Sequence, residues 1–237
     1  INRKRWIAIG AEPRRVIVTG HTKVDQALEG AKKEEELISA DLLSFLEASK
    51  VFLAASTHEG EEEALCGIFE KVQGQVQGFL MVLVPRHLER LNAVERLLKG
   101  RKFSYQKLSQ INRTDGIFTS GIILVDQLGV LASLYSIADL AFIGGSLVPI
   151  GGHNIWEPLA KGVPILYGPY MDSDYGLAEQ GGAIRASGPK ELEENLILLF
   201  NSKERCEGFR HRMREFLGEH AGAVEKNIQL AEGLHPK

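Results

Sequence analysis

Cysteine is scarce in this chain: two in 237 residues, Cys66 and Cys206, far apart and both in segments with helical spacing. That excludes a disulfide framework and fits a reducing compartment. No close His/Cys spacing supports a zinc site either. Long apolar runs are missing too; no stretch of about 18 apolar residues offers a membrane-crossing helix. Positive charge is not in excess. The net charge is −3, so the chain as a whole makes no electrostatic case for binding nucleic acid. No G-x-S-x-G is present and Cys66 lies on an apolar helix face, which leaves nucleophilic catalysis little support. An initiator methionine is absent as well. The opening residues INRKRWIAIGAEPRRVIVTG read as the middle of a longer protein, so a fragment is expected.

What is present is an ordinary globular composition, 44% hydrophobic and 25% charged, able to bury a core. Short apolar runs alternate with helical patterns. Strands are expected at Val16–Thr19, Val51–Ala55, Phe79–Val84, Phe103–Gln106, Ile122–Val125, Asp139–Ile143, Val163–Leu166 and Ala183–Ala186. Helices are expected at Lys4–Gly10, Asp41–Ala48, from Ser56–Glu63 to about Lys71, His87–Leu98, Leu128–Ile137 and Ser173–Glu179. Three amphipathic helices follow, at Lys190–Phe200, Ser202–Leu217 and Ala221–Ala231. Thr19–Asp25, TGHTKVD, reads as a loop. The alternation implies βαβ units, hence an α/β fold: a Rossmann-like, mostly parallel sheet with helices on both faces. No repeat, low-complexity tract or clear linker divides the chain, so residues 1–237 are expected to form one domain. The Lys32–Glu36 charge run reads as a solvated segment.

The most informative stretch is Ala141–Tyr170, AFIGGSLVPIGGHNIWEPLAKGVPILYGPY. Gly144-Gly145-Ser146 and Gly151-Gly152 let the backbone turn sharply or approach a ligand. A glycine loop opening a helix leaves N–H groups unpaired, which suits a phosphate. Glu157 lies three residues past Asn154, so both side chains share one helical face, and a carboxylate there could hold two ribose hydroxyls. The other reading is a buried glycine-rich turn of any α/β protein.

Ligands of such sheets bind outside the carboxyl ends of the strands. Four polar clusters fall there: Ser56-Thr57-His58, Pro85-Arg86-His87, Asp126 to Val130, and Gly144-Gly145-Ser146. One cation, hydroxyls, a glycine loop and a carboxylate match a nucleotide with one or two phosphates, not a metal centre. Arg86 alone could be a surface arginine in a loop ion pair. His58, His87 and His153, each taken alone, read as loop histidines that cap helices or bond backbone. The acidic run Glu59, Glu61, Glu62 and Glu63 reads as a favourable first helical turn.

STHEGEEE (Ser56–Glu63), LVPRHLER (Leu83–Arg90), GGSLVPIGGHNIWEP and VPILYGPY, in that order, resemble the bacterial 3-deoxy-D-manno-octulosonic acid (Kdo) transferases of lipopolysaccharide assembly. TGHTKVD is similar to that family's TG-x-x-K-x-D stretch. The resemblance is strong from about Arg14 to Tyr170 and weaker afterwards. It implies the C-terminal, donor-binding domain of a GT-B glycosyltransferase. The donor would be CMP-Kdo, and the acceptor a lipid A precursor at the cytoplasmic face of the bacterial inner membrane. Transfer would invert the anomeric carbon without a metal or other cofactor. The acceptor domain, the membrane anchor and the carboxylate base of the family all precede the matched segment.

The resemblance also distributes roles. Pro85, Arg86 and His87 would face the CMP. Leu128, Gly129 and Val130 would read the cytosine through backbone. Asn154, Ile155, Trp156 and Glu157 would form a third nucleotide contact, with Glu157 on the ribose. Lys23 would stabilise the transition state. Ser56 and Thr57 are offered here for the Kdo carboxylate, beside the loop Gly144, Gly145 and Ser146. Pro149-Ile150 departs from the charged residues that many relatives carry before GGHN. A stand-alone nucleotide-binding module and a nucleotide-sugar epimerase of similar architecture remain as other readings.

Overall fold

The computed structural model describes residues 2–33, 46, 49–111, 121–171 and 179–234. Its centre is a seven-stranded sheet in the order β3-β4-β2-β1-β5-β6-β7. The strands are β1 (Lys50–Thr57), β2 (Phe79–Pro85), β3 (Tyr105–Lys107), β4 (Gly121–Leu124), β5 (Leu140–Ile143), β6 (Ile165–Tyr167) and β7 (Ile184–Arg185). Every pairing is parallel. The three central strands are runs of apolar residues because helices cover both of their faces.

The pleat divides the core in two. Phe52 and Ala54 of β1 join Met81, Leu83, Ile122 and Phe142 on one face. There they meet Leu65, Phe69 and Val72 of α3 (Glu61–Val72), Val94 and Leu98 of α4 (Leu91–Gly100), and Leu192, Leu196 and Leu199 of α7 (Pro189–Phe200). Val51, Leu53 and Ala55 point the other way, toward Val82, Ile123 and Ala141 and toward Leu134 of α5 (Leu131–Leu134). On that side Ile143, Ile165 and Tyr167 pack on α6 (Trp156–Ala160), on Val24 and Ala27 of α2 (Thr22–Lys33), and on Met213, Phe216 and Leu217 of α8 (Lys203–His220).

The chain ends are clasped together. The Asp25 carboxylate accepts from Gly222 N at 2.6 Å and Val224 N at 2.7 Å, at the start of α9 (Ala223–Leu234). These are orphan N–H groups of a helix start, and a carboxylate there is favoured by hydrogen bonding and by the helix dipole. The clasp fixes α2 and therefore Lys23, on its first turn.

Three expectations are corrected. Val16–Thr19 is not a strand. It pairs with no strand of the sheet, and Ile17 and Val18 are 59% and 69% exposed. Its β-branched composition favoured a strand, but α1 (Asn2–Ala8) claims it instead, through Arg3 Nε donating to Val16 O. TGHTKVD is not all loop, since α2 begins at Thr22. The helix expected at Leu128–Ile137 is shorter: α5 followed by one 3₁₀ turn, Tyr135–Ile137. The helices expected at 41–48 and 173–179 lie almost wholly outside the described residues, as does the charge run from residue 34 onward.

Strand order places a topological switch point between β1 and β5, whose following loops leave toward opposite sides. Gly144 sits against the backbone of Ser56 there, and a Cβ would overlap the Ser56 carbonyl oxygen. Gly144→Ala is therefore expected to destabilise the protein by roughly 3 kcal/mol, because backbone and not a side-chain tip must yield. Gly67→Ala, inside α3 with open space around it, is expected to stabilise by about 0.5–1 kcal/mol. Denaturant midpoints of the two variants check the contrast; equal midpoints would rule out the close approach.

Candidate functional site

The switch point is closed by a carboxylate of the protein itself. Glu61, the first residue of α3, is fully buried and lies over the loop that follows β5. Its Oε2 accepts from Gly145 N at 2.7 Å and from His58 N at 3.0 Å. Its Oε1 accepts from Ser146 N at 3.0 Å and from Leu147 N at 2.9 Å. Burial pushes the carboxyl above its ordinary range, and the four N–H donors pull it back toward the ionised form. Gly144 N donates to Ala55 O at 2.7 Å.

The expected phosphate cradle at Gly144, Gly145 and Ser146 is thus corrected: these N–H groups are spent inside the protein. The Ser146 hydroxyl is internal as well, donating to Ile143 O and accepting from Gly168 N. Thr57 is corrected on the same grounds. It is fully buried, and its hydroxyl donates to Glu62 Oε1 at 3.1 Å. Glu62 in turn holds Arg90 at 2.7 Å. Glu61 and Glu62, acidic residues of one helical turn, are therefore structural anchors.

Beyond this closed point the surface opens into two adjoining clefts. The smaller, about 220 Å³, is lined by Ser56, Arg86, Leu131, Tyr135, His153, Asn154 and Glu157, among others. The larger, about 590 Å³, shares His153, Asn154 and Glu157 and extends to Lys23, Gln26, Ala132 and Lys161. The structure thus brings together Ser56, Arg86, Asn154, Glu157 and Lys23 from four different segments. Ser56 stands in a left-handed conformation, φ 54°, where the β1–β2 register slips between Ala55 and Thr57. A serine at positive φ is costly and concentrates at ligand clamps.

Arg86 N donates to Thr57 O at 2.9 Å, which fixes the loop after β2 beside β1. Among the described residues the Arg86 guanidinium has no ion pair or hydrogen-bond partner, although it lines the smaller cleft. Asn154 Nδ2 donates to Glu157 Oε1 at 2.7 Å and its Oδ1 accepts from Trp156 N at 3.0 Å, so one side chain starts α6 and orients the carboxylate. Ile155 and Trp156 are buried in the core; the indole lies 4.6 Å from the His21 ring and 6.3 Å from Phe216. They support the cleft wall by packing. Pro85 ends β2 and His87 is exposed, with its ring 5.7 Å from that of His58. Leu128, Gly129 and Val130 stand just before the cleft, which reaches the next two residues, Leu131 and Ala132.

Sequence reasoning separated His58 from His153, and the structure joins them. Their Nε2 atoms are 2.6 Å apart, and their rings lie end to end, with centroids 4.9 Å apart and planes within 12° of each other. Burial, followed by the neighbouring His58, Arg86 and His87, brings His153 down to about 4. Burial and His87 lower His58 too. No local spacing signals a contact across 95 positions. Glu61 did leave a signal: a glutamate three residues after His58 has capping-box spacing, reaching back to the His58 N–H. Among the described residues no group of side chains could hold a metal ion, and no helix is long and apolar enough to cross a membrane. Burial pushes the Cys66 thiol up to about 12, far from a nucleophile.

No protein-family model matches the chain. It is 34% identical over 237 residues to the 3-deoxy-D-manno-octulosonic acid transferase of Haemophilus influenzae, covering 97% of this chain and 54% of that protein. A bifunctional glycosyltransferase/methyltransferase of Fusobacterium nucleatum is 36% identical over 182 residues, 76% of this chain and 27% of that one. Among solved structures, the C-terminal CMP-Kdo binding domain of WaaA from Acinetobacter baumannii matches with a TM-score of 0.67 at 22% identity, covering 83% of this chain and 98% of that one. The chain spans about half the length of the curated Kdo transferases it matches. Its architecture is that of the C-terminal domains of GT-B glycosyltransferases.

Glu61→Gln is expected to destabilise the protein by about 3 kcal/mol, because an amide replaces the charge and turns an N–H₂ toward N–H donors. Glu63→Gln, on the exposed side of the same turn, should stay within about 0.5 kcal/mol. Hydrogen exchange at Gly145–Leu147 should accelerate in the first variant alone. Unchanged protection there would show that Glu61 does not hold the loop.

Proposed function

From the homology of this chain to the C-terminal, CMP-Kdo-binding half of the Kdo transferases, we propose that it binds CMP-Kdo and presents the sugar for transfer to a lipid A precursor. The observation that carries this reading is the Arg86 guanidinium, without a partner among the described residues, just past the carboxyl end of β2 in a cleft that Asn154 and Glu157 also line. A single nucleotide phosphate between Arg86 and the Asn154 turn would let Glu157 reach the ribose hydroxyls. The backbone at Leu128–Val130 would then border the cytosine. Lys23 lies in the adjoining cleft, where an ammonium favours charge developing on the departing phosphate. Ser56, in a left-handed conformation on the wall of the smaller cleft, would offer its hydroxyl to the Kdo carboxylate.

In this reading residues 1–237 act as one donor-binding domain. The acceptor pocket and the general base belong to an N-terminal domain, and the whole enzyme meets its lipid acceptor at the cytoplasmic face of the bacterial inner membrane. Glu61 and Glu62 are engaged internally, so neither is the base.

Calorimetry tests the donor site. CMP should bind more tightly than cytidine. Arg86→Ala should remove roughly 1.5–3 kcal/mol, a tenfold or larger loss for CMP with little change for cytidine. Equal affinities for CMP and cytidine would refute the phosphate assignment. Glu157→Gln should weaken CMP more than its 2′-deoxy analogue, since an amide oxygen cannot accept from both hydroxyls while an amide N–H₂ faces one of them. An equal loss for both nucleotides would remove Glu157 from the ribose.

A further inference from the structure

We propose that His58 and His153 form a second, proton-dependent half of the anion site: the pair takes up one proton from solvent when an anion binds beside Arg86, so the cleft gains a positive charge with its ligand. The inference rests on the donor-site reading for the ligand's identity, but its physical basis is the geometry of the pair.

Two imidazole nitrogens 2.6 Å apart must share a hydrogen, one donating and one accepting. In the neutral pair one Nε2–H donates to the other Nε2. The accepting ring then carries its hydrogen on Nδ1, and the donating ring has a bare Nδ1. One further proton fits on that bare nitrogen without breaking the shared bond, and it converts the bond into a charge-assisted one. A second added proton would set two N–H groups head to head. The pair can therefore hold a charge of zero or plus one while the contact lasts.

The surroundings decide between the two. On the loop after β2 stand Arg86 and His87, and just beyond them Arg90; all disfavour the added proton on His58. Glu62 favours it but is already bound to Arg90 and Thr57. Glu61 faces the backbone of His58 and is saturated by N–H donors. Glu59 lies close enough to act on Arg90. On the other wall of the cleft are Asn154 and Glu157. Burial and the facing cations thus outweigh Glu62 and hold the pair neutral, in line with the lowered proton affinity of both rings. A phosphate against Arg86 offsets one of the charges that oppose protonation of both rings and adds an attractive one. His153 lines both clefts, so it shares the phosphate's cavity.

The test is side-chain nitrogen NMR of the 237-residue chain, reading the ring charge of each histidine as pH is lowered, without ligand, with CMP and with inorganic phosphate. The pair's protonation midpoint is expected to rise by one pH unit or more with either anion. In Arg86→Gln, an exposed position, the midpoint should rise without ligand, and the anions should no longer move it. Anion binding detected at other resonances with an unchanged midpoint would overturn this inference and leave the donor-site reading standing. Failure of both anions to bind would overturn both.

Discussion

The arrangement depends on one buried carboxylate. In a doubly wound sheet the gap between the two central strands with divergent loops collects backbone N–H groups, and an anion usually fills it. Here Glu61 does so from within, accepting from Gly145, Ser146, Leu147 and His58. An ionised side chain with four donors is a well-satisfied buried charge, and removing it would strand all four. The glycines serve this clasp. Without a side chain at 144, the loop can lie on the Ser56 backbone, close enough for Glu61 to reach across.

Because the gap is sealed, the open clefts lie outside it, lined by the next ring of residues. The same turn that aims Glu61 inward leaves Ser56 strained toward the cleft and His58 against His153. The Arg86 backbone is fixed by its own N–H on Thr57 O, and among the described residues its guanidinium has no side-chain partner. Carboxylates and cations are thus sorted by depth: Glu61 and Glu62 are buried, while Arg86 and Lys23 line the clefts.

Much of the fold was legible because β1, β2, β4 and β5 are uninterrupted apolar runs followed at once by polar or glycine punctuation. Their alternation with helices fixed a parallel sheet and placed the candidate residues at its carboxyl edge. Val16–Thr19 misled because β-branched composition speaks for a strand only when an edge is available to pair with it. Arg86, Asn154 and Glu157 were legible from type and spacing. The glycine loop was legible as a place of close approach, but what approaches it was not, since the occupant comes from a helix 84 positions earlier. The histidine pair was invisible for the same reason: period and spacing report neighbours along an element, whereas strand order decides which loops meet.

The Asp25 clasp couples α2 to the last described helix. Val24 and Ala27 of α2 share a core with Met213, Phe216 and Leu217, and Asp25 bonds backbone 197 and 199 positions away. On a ribosome adding roughly 5–20 residues per second, α2 emerges on the order of ten to forty seconds before its partners exist. The central strands can pair during that interval, but α2 has nothing to bury its apolar face against. The wall of the larger cleft that carries Lys23 is therefore completed only after residues near 224 have been made, long after Lys23 itself.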